Sequence, residues 1–205
     1  LAVNTTGAYN TAVGSYALDA NTTASGGTAV GYHCLTNNTT GSLNTALGVE
    51  ALEVNVTGNY NTAVGAKALE ANTANDNTAV GCEALITNTS GSTNTALGRS
   101  ALKLNTTGLS NTALGAHSLD ACTEGFENTA VGQAALGALT TGDYNTAVGQ
   151  AALTSATTGN RNTACGQDAL QATTTGQYLT ALGMGALYAN TTADYNTAVG
   201  YHALT

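Results

Sequence analysis

Asn44-Thr45-Ala46-Leu47-Gly48-Val49-Glu50-Ala51-Leu52-Glu53-Val54-Asn55-Val56-Thr57-Gly58-Asn59-Tyr60 is one complete row of a pattern that runs through all 205 residues, and Asn61-Thr62-Ala63-Val64-Gly65 opens the next row. The rows superpose at seventeen residues, and four columns are unbroken in all twelve: Thr (Thr11 to Thr197), the Ala after it (Ala12 to Ala198), the Gly two residues further on (Gly14 to Gly200) and the Leu of the Ala-Leu pair (Leu18 to Leu204). The branched apolar column fails only at Cys165, and the Ala of Ala-Leu only at Cys34 and Ser118. A short fixed period marks a solenoid, because one such row cannot bury its own apolar face and must stack on its neighbours. Residues 1–205 therefore read as a single repeat region. The chain starts and stops partway through a row, as expected of a piece of a longer fibre.

Poor helix formers dominate each row, and glycine recurs about twice in it, which argues against helix. Thr-Ala-Val-Gly and x-Ala-Leu-x read as two short strands bounded by Gly and Asn turn signals. Asn-Thr-Thr-Gly reads as a tight turn whose Gly takes positive φ, with Ala24, Asn75 and Ala193 as exceptions. The one shortened row, between Gly65 and Gly81, loses its residue in the turn near Asn75 and Asp76. The sequence thus predicts an all-β parallel β-roll, or β-solenoid, of about twelve coils and roughly 55 Å long at the usual strand spacing.

Ala12-Val13 and Ala17-Leu18 are adjacent apolar pairs, whereas successive strand residues point to opposite faces. On a two-strand coil, one column of each pair lines the interior and the other forms an apolar stripe along the rod. Such a stripe marks an association surface. The alternation leaves open which column faces inward. Ala12, Val13, Leu18, Val64, Leu69, Leu136, Val148 and Leu153 are the expected assembly core, and the expected partner is a second and third copy of the chain, as a homotrimer or filament.

Asn10–Gly14, Asn61–Gly65 and Asn145–Gly149 resemble the repeats in head domains of trimeric autotransporter adhesins, and the full seventeen-residue row resembles repeats of bacteriophage tail fibres and related bacterial surface fibres. The resemblance implies a left-handed, trimeric roll and an extracellular attachment fibre, on a cell surface or a virion, that projects a host- or surface-binding end. Gly27 and Leu179 depart from the Asn column.

Composition narrows the alternatives. Lys67, Arg99, Lys103 and Arg161 are the only basic residues beside twelve acidic ones, too few and too scattered to neutralise a phosphate backbone, which argues against nucleic acid. No apolar run approaches a membrane span. Cys34, Cys82, Cys122 and Cys165 fall in four columns and in rows that never adjoin, which argues against a disulfide framework or zinc site. Cys34 and Cys165 stand in for Ala and Val and read as small buried hydrophobes. His33, His117 and His202 share one column but lie rows apart and read as surface residues.

No nucleophile–base pair, phosphate loop or metal-spaced ligand set is legible, so neither catalysis nor a cofactor is expected. Tyr9, Tyr60, Tyr144, Tyr178 and Tyr195 precede the Asn column in variable positions and are the candidate contacts for a cell-surface glycan or receptor. The two Thr columns raise a further alternative, an ice-binding β-solenoid. Against it, each strand Thr shares its face with Val or Leu, and hydroxyls that satisfy turn backbone account for both columns. Asn-x-Thr/Ser triplets begin at Asn4, Asn21, Asn37, Asn38, Asn55, Asn88, Asn105 and Asn190 and are either glycan acceptors or turn chemistry.

Overall fold

A computed structural model describes residues 1–205 as a parallel β-solenoid of twelve coils. Each coil contributes one three-residue strand, from β1 (Thr11–Val13) to β12 (Thr197–Val199), and the strands pair in sequence order. Register is column on column throughout: Thr11 pairs with Thr28, Ala12 with Ala29 and Val13 with Val30. The shortened row keeps it, with Thr62 opposite Thr78 and Val64 opposite Val80. No helix is long and apolar enough to cross a membrane.

The expected second strand is absent. In every coil the Leu of Ala-Leu takes a left-handed conformation, φ 51–55°. The residue two before that Leu and the residue before the Asn column take it as well, for example Ser100 and Ser110. Left-handed backbone costs an L-residue about 1–2 kcal/mol, so these bends persist only because stacking overdetermines them. Of 132 backbone hydrogen bonds, 110 lie outside the strands, and many run from one coil to the next through the bends. Leu102 N–H donates to Ser118 O at 3.0 Å, and Ser100 N–H to Cys82 O at 3.0 Å. The bend also breaks strand alternation, so Ala101 and Leu102, although adjacent, both point inward and are fully buried.

On the strand alternation holds. The Ala column faces inward, while Thr and Val or Leu face out, as the burial of Thr95-Ala96-Leu97 illustrates. The core is therefore a stack of Ala and Leu columns, continuous over 36 residues. Leu18, Leu69, Leu136 and Leu153 lie in this core, Ala12 packs at its end, and Val13, Val64 and Val148 lie on the outer face. Cys165 is likewise exposed on that face, contrary to its reading as a buried hydrophobe.

Two glycine columns have different causes. The Gly after each strand has φ between +129° and +144°, where side chains are strained. The turn glycines do not take positive φ; they are favoured by close contact. A Cβ on Gly91 would meet Asn88 Oδ1 at 2.6 Å as well as the Gly108 carbonyl of the next coil. In the shortened row Ala74 fills this site rather than Asn75, because the Ala74 carbonyl accepts from the amides of Asn61 and Asn72 at 2.8 and 2.9 Å. Asn75 belongs to the next column, where its Oδ1 accepts the Asn59 N–H at 2.7 Å.

The asparagines are interior rather than turn residues. In the column that opens each row, Asn94 Oδ1 accepts the Asn111 N–H at 2.9 Å, and Asn94 Nδ2 donates across its own coil to Gly108 O at 2.8 Å. In the second column, Asn105 Nδ2 donates to Asn88 Oδ1 at 2.7 Å and to the same Gly108 O at 3.2 Å. Both columns are fully buried here. Two side-chain oxygens are left without a partner, Asn55 Oδ1 and Asn105 Oδ1, and each sits where the sequence breaks the ladder. Above Asn105 the next coil carries Cys122 instead of Asn, and above Asn55 lies Asn72 of the shortened row, whose Nδ2 donates only to Ala74 O.

Candidate functional site

The outer strand face comes directly from the strand pattern. With Ala inward, every strand presents Thr and, two residues on, Val, Leu or Cys165. Val13 is 56% exposed, Leu97 43% and Leu114 41%, so the apolar column faces solvent along the rod. All sixteen charged side chains lie off the strands, in the bends and turns, so the face carries no charge.

The two Thr columns are not equivalent. Turn threonines bond to backbone: Thr22, Thr89 and Thr106 hydroxyls each donate to a carbonyl of the next coil at 3.0–3.1 Å. The strand threonines, unbroken in sequence, make no side-chain hydrogen bond in any coil, so the turn-backbone explanation covers one column and not the other.

The candidate tyrosines lie on a bend at the edge of the roll. Tyr9 is 93% and Tyr195 76% exposed, with Tyr60, Tyr144 and Tyr178 also exposed. Stacking of coils links some of them into a ladder. Phe126 meets Tyr144 edge-on at 5.1 Å, the Arg161 guanidinium lies 5.0 Å from the Tyr144 ring and 5.6 Å from the Tyr178 ring, and Tyr178 stacks on Tyr195 at 5.0 Å and 8°. Rings stacked along the axis turn edges and hydroxyls outward and spend their faces on each other. The broad apolar platform a sugar ring would stack on is therefore absent between Tyr178 and Tyr195. Tyr9 and Tyr60 stand outside this ladder.

The histidines are separate surface groups. His33 Nδ1 lies 3.4 Å from Glu53 and packs on Tyr16 and Tyr32, and His117 Nδ1 lies 3.2 Å from Asp120; His202 is exposed beside Tyr201. Glu50, Glu53 and Glu70 bring carboxylate oxygens within 4.8 Å of one another. Lys67 already occupies their midst, 2.7 Å from Glu50 and 3.2 Å from Glu70, and these hydrogen bonds, Glu50's foremost, push its ammonium up to about 12. The cluster is thus a bridged charge network in which one lysine holds two of the three carboxylates together. A shallow depression of about 280 Å³ is lined by Lys103, Leu104, Asp120 and Ala121; Lys103 is engaged with Glu83 at 2.9 Å and Asp120 with His117 at 3.2 Å.

Burial pushes the thiols of Cys34 and Cys122 up to about 11, so both are protonated and unreactive near neutrality. All four cysteines are free. Asn21, Asn38, Asn55, Asn88 and Asn105 are buried with their amides bonded inside the coil, which removes five of the eight triplets as glycan acceptors in the folded chain.

Comparison of the chain with protein-family models, with curated proteins and with solved structures returned no match, so what this surface does rests on its own chemistry.

Proposed function

We propose that this chain is the structural shaft of a self-assembling extracellular attachment fibre, and that it carries no catalytic activity. The observation that supports this reading is the unbroken strand ladder: every strand pairs with the next in the same register, through the shortened row as well, so length grows with row number. A shaft of this kind projects a binding end from a virion or a bacterial surface, with three copies wound together. The stacked Tyr ladder and the Lys67-bridged Glu50–Glu70 pair are on this reading edge reinforcement rather than ligand sites. Electron microscopy of fibres lacking whole rows tests it. Deleting residues 94–127, two complete rows, shortens the shaft by about 10 Å at the usual strand spacing and leaves attachment intact. Fibres of unchanged length, or attachment lost with the rows, overturn the proposal.

A further inference from the structure

We infer that copies of this chain pack on one another through the outer strand face, with the Val/Leu column buried and the strand Thr column paired at its side. This rests on the reading of the chain as a self-assembling rod, and it names the surface that does the assembling.

The first argument is composition. The chain carries a net charge of -8, yet the strand face carries none of it. Two copies can therefore approach here without setting carboxylate against carboxylate, which the bends, with Glu50, Glu70, Glu83, Asp120 and Asp168, do not allow.

The second is self-complementarity. A methyl packs on a methyl. A hydroxyl both donates and accepts, so a Thr column can hydrogen-bond to an identical Thr column. Charged groups of one sign and donor-only groups cannot pair with copies of themselves. The strand hydroxyls are free to do this because, unlike those of Thr22, Thr89 and Thr106, none is used inside the chain. Left unpaired in a dry interface each would oppose burial by its lost hydration, so the column is compatible with burial only where a partner brings hydroxyls in register.

The third is area. Twelve strands of roughly 10 Å width at ~4.8 Å spacing give a projected face on the order of 550 Å² per copy. Two faces then bury on the order of 1,100 Å², just above the ~1,000 Å² minimum for a biological interface and at the small end of the specific range.

The experiment is sedimentation of the full chain beside the Leu97→Lys/Leu114→Lys variant. Both leucines already face solvent in the single chain, so the changes spare the Ala/Leu core. The wild type is expected to sediment as an oligomer at ~10 µM and the variant to associate at least tenfold more weakly with an unchanged β circular-dichroism spectrum. Where folding and assembly are coupled, crosslinking decides instead. With Cys34 and Cys122 replaced by Ala, a thiol crosslinker is expected to join copies through Cys165, which lies on the face, and not through Cys82, which lies off it. A wild-type monomer at ~100 µM, a double-Lys variant of wild-type mass, or crosslinking through Cys82 alone overturns the assignment. A monomer that shapes growing ice crystals overturns it too, and gives the Thr column to ordered water. An oligomer that resists the Lys changes refutes this face while leaving the shaft reading to the row deletions.

Discussion

Replacing Asn111 by Ala is expected to cost about 2–6 kcal/mol, and the size of the loss follows from four hydrogen bonds. Asn111 is fully buried. Its Oδ1 accepts the Asn128 N–H at 3.0 Å and Asn128 Nδ2 at 3.1 Å; its Nδ2 donates to Gly125 O at 2.7 Å and to Asn94 Oδ1 at 3.3 Å. Asn128 Nδ2 keeps a second partner in Gly142 O at 2.8 Å, and Asn94 Oδ1 keeps the Asn111 N–H. Two buried backbone groups lose their bonds. The Asn128 N–H has no other acceptor, and Gly125 O is left only the Cys122 thiol at 3.8 Å, each worth about 1–3 kcal/mol. Asn94→Ala is the internal control. Gly108 O keeps Asn105 Nδ2 at 3.2 Å, so only the Asn111 N–H is orphaned, and the expected loss is about 1–3 kcal/mol. Urea denaturation gives the totals. Amide hydrogen exchange gives the location, with the Asn128 amide in Asn111→Ala losing more protection than amides several coils away. Equal losses in the two variants, or a loss below ~1 kcal/mol in Asn111→Ala, would refute the argument that these amides close the coil.

Three further outcomes are expected. Inserting Thr between Thr73 and Ala74 restores the row to seventeen residues and lets the Asn72 amide reach the unpartnered Asn55 Oδ1, raising stability by about 1 kcal/mol by urea midpoint. Gly98→Ala forces an L-residue to φ +141° with its Cβ 2.6 Å from the Gly115 backbone, and costs at least about 3 kcal/mol, whereas Gly91→Ala, at a site where Ala24, Ala74 and Ala193 already stand, costs less in the same assay. Stability falls at alkaline pH: the folded thiols of Cys34 and Cys122 titrate near 11 and unfolded ones near 9.0, so their contribution is complete below pH 9 and is lost as pH rises through 11. The Cys34→Ala/Cys122→Ala variant removes that decline from a pH series of urea midpoints.

The period, the coil number and the register were all legible in the columns, because a parallel stack repeats one row and any slip would set unlike residues on each other. The same constancy hid the direction of the side chains. Ala96-Leu97 and Ala101-Leu102 look alike in sequence, yet the first pair splits across a strand and the second turns wholly inward, since Leu102 at φ 51° breaks the alternation. Short apolar pairs do not announce a left-handed bend when the residue is Leu, which ordinarily avoids one.

Asn94 and Asn105 read as turn chemistry for a related reason. An amide is stable in a core only if its partners arrive with it, and Gly108 O and Asn88 Oδ1 arrive only when coil closes and coil stacks on coil. The free hydroxyl of Thr95 and the bonded one of Thr106 differ in the same way: the residue type is identical, and only the presence or absence of a carbonyl from the next coil separates them. Sequence by itself determined the repeating unit and how units align, because those depend on likeness between rows. Tertiary structure decided inside from outside and bonded from free, because those depend on where the closed coil brings its far side.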